Sequence, residues 1–126
     1  MPSGSCLCGN VSFSVSGDVP PASACHCSQC RKQSGHYWAS THVPETALMF
    51  HRDRTLNWFA ASDTALRGFC SGCGSFLFWK HNEENEISIS MGAFDTSTGA
   101  RLGRHIFVAD KGDYYDLNDG LPQRDQ

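Results

Sequence analysis

Asn10-Val11-Ser12-Phe13-Ser14-Val15-Ser16-Gly17 alternates apolar and small polar residues without a break. Strand side chains point alternately to opposite faces, so Val11, Phe13 and Val15 share one face and the serines the other. That period of two predicts a strand and argues against an amphipathic helix. Glu86 to Gly92 repeats the pattern, with Ile87, Ile89 and Met91 set against Ser88 and Ser90. Shorter β-rich stretches lie at Tyr37–Val43, Leu48–His51, Leu56–Ala60, Leu66–Cys70, Ser75–Lys80 and His105–Val108. Turn-formers such as Arg52-Asp53-Arg54, Ser62-Asp63 and Ser71-Gly72 separate them. No longer window shows the period of a helix, and only a short helical turn after Pro44 or just after Cys27 is expected. Many short strands at spacings of roughly ten residues predict an all-β sandwich or barrel-like domain.

The chain has 126 residues, which predicts a single domain over 1–126. Its core is expected over about residues 3–110, followed by a polar C-terminal tail. From Asp116 onward that tail is expected to fray near its end. Ten Lys and Arg against thirteen Asp and Glu give a formal charge of −3, so no nucleic-acid partner is expected. Apolar runs such as Phe76-Leu77-Phe78-Trp79 are far too short to span a bilayer, so no membrane association is expected. The N-terminal residues Met1-Pro2-Ser3-Gly4-Ser5-Cys6 lack a charged and apolar secretory leader. A cytoplasmic setting follows, in which cysteines persist as thiols or metal ligands. There are seven cysteines, an odd number that cannot pair completely into disulfides within one chain.

These cysteines form three groups: Cys6-x-Cys8, Cys25-x-Cys27-x-x-Cys30 and Cys70-x-x-Cys73. Residues i and i+2 of an extended strand face the same way, so Cys6 and Cys8 can present two sulfurs to one ion. A Cys-x-x-Cys turn brings two sulfurs together, and Ser71, Gly72 and Gly74 make such a turn easy at the third group. Four thiolates around zinc make a closed structural site, commonly drawn from two distant pairs. Three protein ligands leave a position for water or substrate, as in catalytic zinc. Spacing alone does not decide which groups combine, because the alternatives differ in loop-closure cost by only about 1 kcal/mol. A four-plus-three division uses every cysteine.

Cys6-Leu7-Cys8-Gly9, the run Cys25-His26-Cys27-Ser28-Gln29-Cys30-Arg31-Lys32-Gln33-Ser34-Gly35, and Phe69-Cys70-Ser71-Gly72-Cys73-Gly74 occur in that order. Together they resemble the glutathione-dependent formaldehyde-activating enzyme family, which also includes centromere-protein-V-like proteins. His105-Ile106-Phe107-Val108, Asp110-Lys111 and Gly120-Leu121-Pro122 extend the resemblance toward the end of the chain. It implies a β-tent, a small all-β fold of short antiparallel strands built around a structural four-cysteine zinc. It further implies that Cys6, Cys8, Cys70 and Cys73 hold that zinc, and that Cys25, Cys27 and Cys30 hold a second, catalytic zinc.

Two zinc ions per chain are therefore expected as cofactors, with a small thiol such as glutathione as the substrate partner. Zinc at three thiolates suits a soft thiolate as an additional ligand and lowers the pKa of a bound thiol. The expected activity is that of a zinc-dependent carbon–sulfur lyase, acting on an adduct of the S-hydroxymethylglutathione type. Arg31 and Lys32 either attract the carboxylates of such a substrate or form a solvated basic pair. His26 is read as lying behind the ligands or on the surface, in preference to a proton shuttle. His105 is read as pocket lining or packing, and His36, His42, His51 and His81 as ordinary surface or core residues. Trp38, Trp58, Trp79 and Phe94 are read as core in preference to a pocket wall. Gly35 and Gly92 are read as serving tight backbone geometry, and Glu83-Glu84 as a solvated hairpin turn.

Two other readings compete. Cys25, Cys27 and Cys30 could act as a redox nucleophile and its resolving partners, although a four-plus-three division leaves no cysteine outside the metal sites. A non-enzymatic zinc-stabilised interaction module is the other, weakened by the absence of a basic surface in aggregate.

Overall fold

The computed structural model describes all 126 residues. In chain order the strands are β1 (Ser3–Ser5), β2 (Ser12–Val15), β3 (Ala22–Cys25), β4 (Trp38–Pro44), β5 (Leu48–Arg52), β6 (Leu56–Phe59), β7 (Ala65–Cys70), β8 (Phe76–His81), β9 (Glu86–Ser90) and β10 (Leu102–Ile106). One helix, α1 (Ser28–Ser34), follows β3. The expected all-β fold is present, and each sequence-read stretch corresponds to a strand.

Strands β1-β2-β5 form one sheet, and β10-β3-β4-β9-β8-β7-β6 form a seven-stranded second sheet. Val11, Phe13 and Val15 carry the first sheet onto Val43, Leu77, Phe78, Ile87 and Ile89 of the second, giving one buried core. Phe13 meets Phe78 and Phe94 edge-on, with centroids 5.5 and 5.6 Å apart, the arrangement that aromatic quadrupoles favour. The hydrophobic half of each alternating strand thus does what its period requires.

The polar half does more. Ser88 is buried between Ile87 and Ile89, and Ser40 between Trp38 and Thr41. These serines face a second enclosed space on the opposite side of the large sheet, the cavity described below.

Four features differ from the sequence reading. Strands β1 and β3 are additional, because Ser-Gly-Ser and Ala-Ser-Ala-Cys carry no alternating apolar signal. All strand pairs are antiparallel except β10 and β3, which run parallel with His105 opposite Ala24. The turn after Cys27 continues into the seven-residue helix α1. Cys27 caps that helix by accepting from the Cys30 amide at 3.3 Å, and Gly35 ends it at φ 91°, a left-handed conformation that favours glycine.

The fourth concerns the C-terminal tail, which is tied down instead of fraying. The His105 amide donates to the Pro122 carbonyl and the Arg124 amide to the His105 carbonyl, each at 2.9 Å. Val108 donates in turn to the Arg124 carbonyl at 3.0 Å. These bonds satisfy the free edge of β10, which a polar sequence can do as well as an apolar one.

Candidate metal centres and active-site cavity

Cys6 and Cys8 flank the turn after β1, while Cys70 ends β7 and Cys73 lies in the following turn. The four sulfur atoms lie within 4.8 Å of one another. Cys6 and Cys8 are 3.6 Å apart and Cys8 and Cys70 3.7 Å. The edge of a tetrahedron with zinc–sulfur bonds of about 2.3 Å is about 3.8 Å, so the donor set fits that ion. Donors surround the sulfurs: the Val11 amide reaches Cys6 at 3.3 Å, Thr55 Oγ1 lies 3.2 Å from Cys70, and Ser75 Oγ lies 3.2 Å from Cys73. The Ser75 hydroxyl, followed by its amide, holds the Cys73 thiol down to about 5, favouring the thiolate that a metal requires.

Cys25, Cys27 and Cys30 form the second cluster, again with every sulfur within 4.8 Å of the others. Cys25 ends β3, Cys27 is the cap of α1 and Cys30 lies in its first turn, so a strand-to-helix junction assembles the three sulfurs. Their protons are shared unevenly. Cys27 is lowered to about 2, first by the hydrogen bond it receives from Cys25, and Cys25 is pushed far upward by giving it. Three sulfurs held this close form a donor set for one cation, and the set fits capture of zinc through three thiolates.

A cavity of about 450 Å³ opens on this second cluster. Trp38, Trp79 and Ile106 supply apolar lining, while Ser40, His42 and Ser88 supply hydrogen-bonding groups from the floor of the large sheet. His42 Nδ1 and Ser88 Oγ are 2.8 Å apart. Arg67 also lines the cavity and is only 5% exposed. Its Nη1 and Nη2 lie 3.6 and 3.7 Å from Cys30 Sγ, and Nη1 donates to Gln33 Oε1 at 3.3 Å. The guanidinium also sits 5.5 Å from the centre of the Phe76 ring. A buried cation needs such partners, and here the thiolate-forming cluster is one of them.

The sequence alone does not mark Arg67. Its only signal is a charge at a strand position in line with buried Ala65. Arg31 and Lys32, the cations that follow the cluster in sequence, do not line the cavity; Arg31 Nε donates instead to the Asp110 carbonyl at 3.1 Å. His42, read as ordinary, lines the cavity. Trp38 is both core and wall, Trp79 is wall, Phe94 packs on Phe13 in the core, and Trp58 is half-exposed against Phe78. Gly92 has no positive φ and no close neighbour, so the backbone role expected for it is not seen.

His26 is fully buried, not exposed. It lies between two clustered cysteines yet turns away from them, with Nε2 2.9 Å from His105 Nδ1 and Nδ1 against the Tyr115 hydroxyl. His105 Nε2 then donates to Asp119 Oδ2 at 2.8 Å. Burial, followed by the nearby His105, lowers His26 to about 4, so its ring is neutral at pH 7.

No helix of the protein is long and apolar enough to cross a membrane. Fold and site together define a small β domain with two cysteine clusters able to hold metal ions, one of them facing a cavity. Residues 1–110 match the family described as glutathione-dependent formaldehyde-activating enzyme, and the chain belongs to that family. A Schizosaccharomyces pombe protein named as an uncharacterized lyase is 27% identical over 116 residues, covering 90% of this chain and 83% of that one. A Rhodobacter sphaeroides protein with a crystal structure from structural genomics superimposes with a TM-score of 0.62. It is 19% identical and the match covers 97% of this chain and 98% of that one, a likeness of fold.

Proposed function

We propose that the protein is a zinc-dependent carbon–sulfur lyase acting on a small thiol adduct of the S-hydroxymethylglutathione type. The observation that carries this reading is the convergence of Cys25, Cys27 and Cys30 on a walled cavity beside a buried Arg67. The family description, which names glutathione and formaldehyde, and the lyase name of the yeast relative support it. In this reading Cys6, Cys8, Cys70 and Cys73 hold a structural zinc, and Cys25, Cys27 and Cys30 a catalytic one.

Zinc at three thiolates would supply a Lewis-acidic position that favours the thiolate form of a bound thiol. In the cleaving direction the carbon–sulfur electron pair passes to sulfur, the adduct hydroxyl loses its proton, and the carbonyl is released. Synthesis is the reverse. Arg67 offsets the negative charge concentrated at Cys30 and its neighbours. Trp38, Trp79 and Ile106 exclude water from the reacting end, and Ser40, His42 and Ser88 offer hydrogen bonds to the body of the thiol. Seven cysteines kept as thiols suit a cytoplasmic setting.

All seven cysteines fall into the two clusters, which leaves none to serve as the separate nucleophile of a redox enzyme. Turnover of S-hydroxymethylglutathione, measured beside thermal melting, tests the proposal. Cys30→Ser is expected to abolish turnover while the fold persists, and undiminished turnover would overturn it. Metal analysis should give two zinc per chain; one zinc with three titratable thiols would favour redox chemistry.

A further inference from the structure

The histidine between the clustered cysteines belongs to a chain of polar side chains that neither cluster uses. Asp119, Tyr115 and His105 reach His26 from the far side of β3, around a second cavity of about 360 Å³ that includes no cysteine. Starting from the Asp119 carboxylate, which accepts, one donor order satisfies all three contacts. Tyr115 donates to His26 Nδ1, His26 Nε2–H to His105 Nδ1, and His105 Nε2–H to Asp119 Oδ2. Every nitrogen of the two rings is then used, as buried imidazoles require.

We propose that His26 is a positioning residue for the three-cysteine site, and that Tyr115, His105 and Asp119 make the C-terminal segment part of that site. The inference rests on the metal-binding reading above and deepens it. The Cys25–Cys27 backbone is extended, since the His26 amide continues the parallel ladder to the Ile106 carbonyl at 3.0 Å and Cys27 has φ −64° and ψ 159°. Along extended backbone, neighbours point to opposite faces. Fixing the His26 ring on one face therefore fixes the rotation of Cys25 and Cys27 on the other. Only these two ligands depend on it, because Cys30 is held by α1.

The C-terminal segment is anchored independently of His26. Its backbone pairs with His105, Tyr114 Oη lies 2.6 Å from His36 Nδ1, and Lys111 sits 4.6 Å from the centre of the Tyr115 ring. Tyr115 and Asp119 lie beyond residue 110, where the match to the family ends. Ligand geometry at the second cluster thus depends on residues outside the matched region.

Cadmium-113 NMR of the full chain loaded with cadmium gives separate resonances for four-sulfur and three-sulfur sites, and a chelator challenge then times loss from each. Asp119 is 43% exposed, so Asp119→Ala removes the acceptor without opening a core cavity. Loss from the three-cysteine site should become about 10–100-fold faster, as for other groups that orient metal ligands, with the four-cysteine site unchanged. Tyr115→Phe, which removes only a hydroxyl, should act in the same direction, and Asp119→Glu should restore retention. Unchanged retention in both Asp119→Ala and Tyr115→Phe would overturn the proposal, as would equal acceleration at both sites, the mark of general loosening. The lyase reading fails differently, through a wild-type chain that keeps two ions and does not turn over the adduct.

Discussion

The two cysteine clusters use the same ligand atom and differ in what stands around it. At the four-cysteine cluster, amides and hydroxyls of Val11, Thr55 and Ser75 approach the sulfurs, and β1, β2, β5 and the core lie behind them. At the three-cysteine cluster a guanidinium approaches Cys30, and about 450 Å³ of cavity lies in front. The first site completes a tetrahedron from the chain itself, whereas the second supplies three corners and room for a ligand from solution. In the proposed function, stability and chemistry are thereby divided between sites within a single small domain.

The sharpest way to break this division is at the closed site. Cys70→Ser leaves three sulfurs and a buried hydroxyl at 0% exposure where the fourth sulfur stood. A structural zinc contributes about 10–16 kcal/mol, comparable to the whole stability of a small domain. Far-UV circular dichroism and metal analysis of Cys70→Ser should therefore show an unfolded or metal-poor chain, in contrast to folded Cys30→Ser.

Removing the cation of the open site comes next. Arg67→Met keeps the length of the side chain and deletes the charge beside Cys30, so turnover should fall about 10–100-fold, corresponding to roughly 1.5–3 kcal/mol for a charge-assisted contact. The melting temperature should change far less. Arg67→Lys should not restore activity, because one ammonium cannot reproduce two guanidinium contacts.

A smaller and opposite effect is expected from Gly4→Ala. The new methyl would meet the Ala93 carbonyl oxygen at 2.4 Å and Phe13 Cζ at 2.6 Å, displacing the strand that leads to Cys6. Thermal unfolding should register a loss of about 1–3 kcal/mol, the usual cost of overpacking. Metal retention should weaken at the four-cysteine site alone.

The mildest probe is pH. Burial lowers His42, against the opposing pull of Glu86, with Arg104 lowering it and Glu84 raising it. The unfolded chain therefore binds a proton near the ordinary imidazole value of 6.5 that the native His42 refuses. Stability should decline as pH falls below that value, and His42→Asn should make this part of the profile less steep in denaturant titrations, with the remainder coming from His26. An identical decline in the variant would remove His42 as its source.

Much of this arrangement can be read in the sequence. Alternation at Val11–Val15 and Glu86–Ser90 locates core strands because one face of each is apolar, and cysteine spacing separates the ligand groups. Alternation does not reveal that the serine face of β9 is also buried, since a polar residue at period two reads the same against water or against a cavity. β3 escapes because Ala-Ser-Ala-Cys has neither bulk nor contrast, although it carries a ligand and lies between β10 and β4. Arg67 reaches Cys30 across 37 residues of sequence, and His26 reaches His105 across 79. Such pairings arise from strand order, which no local window contains.

In the proposed function, one zinc site is completed by the chain and the other by a thiol substrate. Zinc K-edge X-ray absorption counts the sulfurs around the metal, and the fully loaded protein should average about 3.5 per zinc from one four-sulfur and one three-sulfur site. Saturating glutathione should raise the average to about 4 as a substrate sulfur joins the second site. A sulfur count that glutathione leaves unchanged would contradict the account.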